Sequence, residues 1–417
     1  MPSPRTPQMS PGRQVRSTVL VDAVRTPFGR AGKNGMYAET RADDLVVSVF
    51  RELLRRNPSL PAERIDDVAV AATTQIGDQG LTLGRSAGIL AGFPRSVPGQ
   101  SVDRMCAGAL TAVTNLAGGI GVGAYDIVIA AGVEHMGRHP MGEGVDINPR
   151  FISEKIIDPE AFVMGNTAEN LHDRFPHLSR SRADEYALRS QQKTSQAYAD
   201  GLIQPDLVPI ALRSAQHGWG LATRDEPPRP HITMAELAAL PAPFRPHGRV
   251  SAGNSAGLND GASGALLLAE EVADEIGLPK RARLVSYAFA GVEPDVMGMG
   301  PVPATERALA LAGLTMQDIG LIEINEAFAV QVLAFLDFFE MADDDHRVNP
   351  FGGAIAVGHP LASSGIRLMS YLALGFSARP DVRYGITTMC VGMGMGATVV
   401  WENPHHPGQS TGRRRLT

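Results

Sequence analysis

The two cysteines of the chain stand in unlike settings, and each setting suggests a task. Cys106 lies in SVDRMCAG and opens the small-residue run CAGALTAVTNLAGG. A helical period there places Cys106, Leu110, Val113 and Ala117 on one stripe. A thiol at a helix N-terminus sees unpaired N–H groups and the positive end of the macrodipole, which lower its pKa and favour the nucleophilic thiolate. The same position also suits a buried, inert cysteine. Cys390 closes the apolar run YGITTMC and enters the turn VGMGMG, whose N–H groups could face an oxyanion. His359, in GGAIAVGHPLASSG, is walled by glycine and followed by proline, so a loop presents it to a ligand or fixes it structurally. Asn325, in NEAFA, closes a buried strand at its C-terminal end, where sites of α/β proteins gather. Together these groups offer nucleophilic catalysis with acid–base assistance.

Positioning them requires an alternation of strands and helices. A strand over 18–23 (TVLVDA) precedes a helix that Thr40 and Asp43 open in capping-box fashion and that runs to Arg56. Its buried face holds Leu45, Val49 and Leu53 with Val46, Phe50 and Leu54. The strand DDVAVAAT, a helix near 84–91, the Cys106 helix and a strand over 126–132 follow, which implies an α/β layered fold with parallel pairing. Between 139 and 249 the texture changes: twelve of the 30 prolines fall there, periodic strands vanish, and one helix, over 181–200, opens on Ser181 and Asp184. This reads as an inserted loop domain covering a binding site.

The α/β pattern resumes at Val250, and a second unit from Arg283 echoes the first. Leu60, Ile65, Val68 and Val70 recur at one constant offset as Leu314, Ile319, Ile322 and Ile324. A helix over 326–340, the glycine cluster 352–365, a helix through Leu374 and two strands about VGMGMG complete it. The expected units are a disordered extension (1–17), an N-terminal half (18–138 plus 250–282), the loop domain (139–249), a C-terminal half (283–403) and a disordered tail (404–417).

A net charge of −6 and a pI near 6.0, with no basic stripe, argue against a nucleic-acid partner. No apolar run reaches the length of a transmembrane helix. Two distant cysteines suggest a reducing compartment, and the N-terminus lacks the apolar core of a secretory signal, so a cytoplasmic location is expected. GGIGVG (118–123) ends a helix instead of following a strand, unlike a dinucleotide loop. Gly137 and Pro140 spoil a zinc helix about His135 and His139, and DDDH (343–346) reads as a solvated loop.

The four motifs, in this order and with both cysteines inside them, resemble the thiolase family over roughly residues 18–401. The resemblance implies a five-layered α-β-α-β-α fold of two duplicated halves with an inserted loop domain. It implies that Cys106 attacks a 3-ketoacyl-CoA, His359 promotes the thiolate, and the N–H groups of Cys106 and Gly392 hold the oxyanion. His359 and a water on Asn325 would stabilise the acetyl-CoA enolate, with Cys390 as acid and base. No metal and no cofactor is implied; coenzyme A is a substrate, with Ser255 and Ala256 near its pantetheine arm. GVEHMGRHPMGEGVD, GMGPVPA and the Met393 turn are similar to the degradative 3-ketoacyl-CoA thiolases of bacterial β-oxidation complexes, implying a homodimer or homotetramer beside a hydratase–dehydrogenase subunit. A biosynthetic acetoacetyl-CoA thiolase and a non-catalytic acyl-CoA or lipid carrier are the alternatives. The chain departs from the family at Ala256 (often serine), Phe351, Ala362 and Met393 (usually glycine in the last two). An acyl tunnel would draw on Phe151, Phe162 and Met164, which could equally pack the insertion.

Overall fold

The computed structural model describes residues 15–214 and 218–408. Residues 1–14 and 409–417 of the expected extension and tail lie outside them; Arg16, inside, donates to Asp126 Oδ1 (2.7 Å) and Tyr125 O (3.0 Å). The strands are β1 (Thr18–Arg25), β2 (Gly29–Arg30), β3 (Asp67–Ala71), β4 (Gln100–Val102), β5 (Ile127–His135), β6 (Ile210–Ser214), β7 (Gly218–Ala222), β8 (Asn259–Ala269), β9 (Ala282–Gly291), β10 (Ile319–Ile324), β11 (Tyr384–Val391) and β12 (Met395–Glu402). Ten of them form one sheet in the order β10-β11-β12-β9-β1-β8-β5-β3-β4, with β2 beside β8; β6 and β7 pair separately.

The sheet is mixed, where the sequence suggested parallel pairing. β3 runs parallel to β4 and β5, and β10 to β11, while β8, β12, β1 and β9 pair antiparallel with their neighbours. A strand returning through a tight turn, as β12 does after β11, must reverse direction. The duplication read from the apolar echo is visible in the pairing. β4-β3-β5-β8-β1 in one half matches Val348-β10-β11-β12-β9 in the other, with a parallel bridge Ile322↔Val348 standing for the β3–β4 pair. The halves meet where Val19 and Leu20 of β1 face Arg283 and Ala282 of β9.

Helices cover the strands in three layers. Ala42–Arg56 and Leu83–Ala91 pack outside the first half, and Pro301–Ala312 and Ala329–Phe338 outside the second. Gly108–Gly121 and Ser364–Ala378 lie in the middle, buried on nearly every side, as their almost continuous apolar and small composition requires. They approach closely at their N-terminal ends. A Cβ on Gly108 would lie 3.1 Å from that of Ala362, and one on Gly365 would lie 2.7 Å from Leu110 Cγ.

Several local expectations change. The first long helix starts at Ala42 with no side-chain cap on Arg41; Asp78, distant in sequence, accepts from the Ala42 N–H instead. The insertion's long helix is Arg180–Ala199, capped by Ser179 and not opened by Ser181. A second helix, Met164–Arg174, and the β6–β7 hairpin also stand in the insertion, where proline density and mixed polarity masked the periodicity. The helix expected from 326 begins at Ala329, because Phe328 keeps extended backbone. In DDDH, Asp343 accepts from Arg182 Nε (2.7 Å) and so is not merely solvated.

The insertion is tied to β1 by a buried ion pair. Arg25 Nη1 and Nη2 meet Asp225 Oδ1 (2.6 Å) and Oδ2 (2.8 Å), and Asp225 also accepts from Tyr198 Oη and Phe28 N. Bidentate geometry of this kind offsets part of the desolvation, although Arg25 Nε finds no partner among the described residues, and removing one member of the pair strands the other charge. Asp225→Ala should therefore cost about 3–5 kcal/mol, read as a fall in the apparent urea midpoint; a loss below about 1 kcal/mol, the scale of a surface pair, would contradict this.

Candidate active site

β4 ends at Val102, and the chain turns sharply into the middle layer. Asp103 Oδ1 accepts from Met105 N (2.7 Å), and Arg104 stacks over the Phe289 ring, 3.7 Å from its centroid. Met105 adopts φ +44°, a left-handed conformation that is costly for a side chain of its kind. Cys106 follows in a 3₁₀ turn, Met105–Ala107, that leads into Gly108–Gly121. Its thiol is buried, and burial pushes its pKa up to about 12; the N–H groups of Gly392 and of Cys106 itself pull it down. The helix-end lowering expected from sequence is thus overturned in its net direction, since loss of water outweighs the aligned donors.

Cys390 is the penultimate residue of β11, opposite Gly396 of β12. The turn between them carries φ +63° at Met393 and +73° at Gly394. Met393 therefore occupies a left-handed position with a side chain, at a cost of about 1 kcal/mol. Gly392 lies against Met105: a Cβ there would stand 2.7 Å from its sulfur. The Cys390 thiol is raised by burial first and by the neighbouring Cys106 second, which places the two thiols within electrostatic reach. Cys390 packs with Met297 and Ala327, and Met164 and Phe328 border the group.

His359 sits in the second half just ahead of the other middle helix. Its backbone N–H donates to Asn259 Oδ1 (2.9 Å), and its Nδ1 lies 2.6 Å from Ser364 Oγ. Asn325 Nδ2 is 3.4 Å from Nδ1 and 3.3 Å from Nε2, so the carboxamide lies against the imidazole. The ring is buried, and desolvation, then the charge of Arg367, lowers its pKa to about 3. The turn Leu361–Ser363 that follows packs on the Cys106 turn, which brings the two halves' chemistry together. Glu134, at the end of β5, accepts from Thr73 N, Gln79 Nε2 and Ala362 N, and so fixes that junction.

Of the residues singled out for the pantetheine arm, Ala256 N donates to Ala327 O (3.0 Å) and Ser255 pairs with Phe328, while the Ser255 hydroxyl donates to Ser251 O. Both therefore border the NEAFA segment that follows β10. Phe151 and Phe162 pack edge-to-face on each other at 5.9 Å, whereas Met164 reaches the Cys390 group. A cleft of about 440 Å³ is lined by Ile156, Asn170, Arg245 and Asp295 among others and includes none of the four chemical side chains. Three supporting groups escaped the sequence reading: Glu134, Ser364 and Arg367. The signals were a lone acid ending an apolar strand, a serine five places after the histidine, and one arginine in the apolar run SGIRLMSYLALGF.

Family models for the thiolase N-terminal domain and the thiolase C-terminal domain match residues 18–271 and 278–403. A 3-ketoacyl-CoA thiolase of Aliivibrio fischeri is 41% identical over 392 residues, 94% of this chain and 100% of the relative. A 3-oxoadipyl-CoA/3-oxo-5,6-dehydrosuberyl-CoA thiolase of Escherichia coli is 42% identical over 403 residues, 93% of this chain and 100% of its own. Among solved structures, a Bacillus anthracis acetyl-CoA acetyltransferase superposes with a TM-score of 0.84 at 34% identity, covering 94% of this chain and 100% of that one. Human mitochondrial 3-ketoacyl-CoA thiolase gives 0.83 at 32%, with 93% and 99% covered.

The imidazole geometry has a measurable consequence. A histidine pKa lowered to about 3 keeps His359 neutral throughout the physiological range. An ordinary imidazole would be only about 3% neutral at pH 5. In histidine-labelled protein, the ¹³C signal lost in His359→Gln should stay at its neutral position from pH 8 to pH 5; a midpoint near 6.5 would contradict the assignment.

Proposed function

We propose, for a chain that belongs to the thiolase family and so is an acyltransferase, that it cleaves 3-ketoacyl-CoA with coenzyme A to acetyl-CoA and an acyl-CoA two carbons shorter. The observation that carries this reading is the meeting of the Cys106 thiol, the Gly392 N–H and Cys390 in one dry site beside the His359–Asn325 pair. The resting groups are a neutral thiol and a neutral imidazole, so the proton moves as attack proceeds, not before. With Ser364 accepting from Nδ1–H, Nε2 keeps a lone pair to take the Cys106 proton.

Sulfur attack on the 3-keto carbon gives a tetrahedral adduct whose oxygen the N–H groups of Cys106 and Gly392 hold. Each such donor contributes about 3 kcal/mol, or roughly a hundredfold in rate. Collapse breaks the C2–C3 bond and leaves the electron pair on C2 as the enolate of acetyl-CoA. The protonated Nε2 of His359 and a water on Asn325 stabilise its oxygen, and Cys390 supplies the proton to C2. The Cys390 thiolate then deprotonates coenzyme A, whose sulfur attacks the acyl group on Cys106. Release of the shortened acyl-CoA returns the Cys106 thiolate, which recovers its proton from His359. The reaction draws on the acidity that a thioester confers on its α-carbon and needs no metal in this reading.

The degradative direction is supported by the relatives named 3-ketoacyl-CoA thiolase at 41–42% identity over more than nine-tenths of the chain. Within the same reading the enzyme is a cytoplasmic homodimer or homotetramer beside a hydratase–dehydrogenase subunit, as the likeness of GVEHMGRHPMGEGVD to β-oxidation-complex thiolases suggests. No helix among the described residues is long and apolar enough to cross a membrane.

Brief exposure to a 3-ketoacyl-CoA should leave an acyl adduct on Cys106, detected by mass spectrometry, and Cys106→Ala should abolish turnover. Cys390→Ala should slow turnover at least about a hundredfold while Cys106 remains alkylatable; wild-type rates in that variant would reduce Cys390 to a packing residue. A tunnel beyond Met164 should raise kcat/KM several-fold for each added methylene, about 0.8 kcal/mol apiece, until it is filled. A preference for acetoacetyl-CoA alone would favour the biosynthetic alternative.

A further inference from the structure

The Ser364–Ala378 helix carries one charged side chain into the middle of the protein. Arg367 has no exposed surface and stands a single turn after Ser364, on the same helical face. Its Nη2 donates to Asn325 Oδ1 at 2.9 Å. Its Nη1 lies 3.8 Å from Glu323 Oε2, too long for a hydrogen bond, and the planar group also sits 5.3 Å from the Tyr371 ring. Glu323 is two residues before Asn325 and so shares its side of the strand. The face Ser364/Arg367 of the helix thus meets the face Glu323/Asn325 of β10. Both Glu323 oxygens, and Arg367 Nε and Nη1, lack hydrogen-bond partners among the described residues.

A buried pair so poorly satisfied is an expensive way to hold a helix on a strand, since burying a guanidinium beside a carboxyl that burial pushes up to about 8 costs more than a 3.8 Å contact returns. Apolar side chains of similar volume would pack there at lower cost. What they would not do is fix the carboxamide. A guanidinium only donates, so the Asn325 atom facing Arg367 must be the oxygen, and the NH₂ must turn to the imidazole and the substrate.

We propose that Arg367 is a positioning residue for the carbon–carbon bond-breaking step: it holds the Asn325 amide with its donor end toward the enolate. The assignment rests on the thiolase reading above, because only that reaction makes an enolate there. It also predicts a division between steps. Cleavage of a 3-ketoacyl-CoA uses the Asn325 donor. Exchange of an acyl group between acyl-CoA and free coenzyme A passes through the same Cys106 acyl-enzyme and the Gly392 N–H, but forms no enolate.

The test compares the two reactions in one variant. In Arg367→Met, thiolysis of 3-ketohexadecanoyl-CoA should fall about a hundredfold or more in kcat, with KM for coenzyme A unchanged. Exchange of labelled coenzyme A into palmitoyl-CoA should stay within about threefold of wild type. Arg367→Lys keeps a cation against Glu323 but loses the planar fork, and should show the same division with a smaller loss. Should Arg367→Met fail to fold, Arg367→Lys and the neutral pair Glu323→Gln/Arg367→Met are read by the same ratio. Equal losses in both reactions would mean a purely structural role, and no loss in either would mean that the amide orients itself; both overturn the inference. Wild-type protein that exchanges acyl groups but cleaves no 3-ketoacyl-CoA would instead overturn the thiolase reading.

Discussion

The contact on which the site depends is the close approach of two buried helices at their N-terminal ends. Gly108 faces Ala362, and Gly365 faces Leu110, at distances that leave no room for a larger side chain at either glycine. One helix begins directly after Cys106 and the other just after His359. Their crossing therefore brings the turn that holds Cys106 in one half against the turn that follows His359 in the other, although the two lie far apart in sequence. The duplication explains why this is possible: equivalent helices in equivalent half-sheets meet across the β1–β9 seam.

Burial then dictates how the chemistry can run. Desolvation raises the Cys106 thiol to about 12 and lowers the His359 imidazole to about 3, so both groups rest uncharged. Such a site stores no reactive thiolate that water or oxidants could consume. Fixed donors are worth most in a buried environment of that kind. Strain at Met105 and Met393 belongs to the same arrangement. Left-handed backbone at both positions turns the chain sharply enough to put the Cys106 thiol and the Gly392 N–H on the same few ångströms of space.

The insertion is held by buried polar contacts more than by a core of its own. Arg25–Asp225 fastens it to β1, and Glu326, next to Asn325, accepts from Tyr186 and Ser190 of its long helix as well as from Asn349 and Ile355 N. The acid following the asparagine thus fastens the insertion to the second half. Met164 reaches from the same insertion to the Cys390 group, so a displacement of the insertion would be felt at the thiols.

The amino-acid sequence by itself determined the elements and the chemical inventory. Apolar periodicity marked β3, β5, β10 and β11, the constant offset exposed the repeat, and Cys106, His359 and Cys390 beside glycines, with Asn325 closing an apolar run, stood out because their neighbours are short-range properties of the chain. Only the tertiary structure decided what those groups experience. Mixed pairing arose because strand direction depends on which edge a returning strand finds, and the Asp78 contact replaced the expected Thr40 cap because a distant carboxylate reached the helix end first. The sign of the Cys106 shift and the placement of Arg367 on Asn325 followed from burial between two half-sheets, which no local window contains. Desolvation is a property of everything packed around a group, and that sum exists only once both halves have closed on each other.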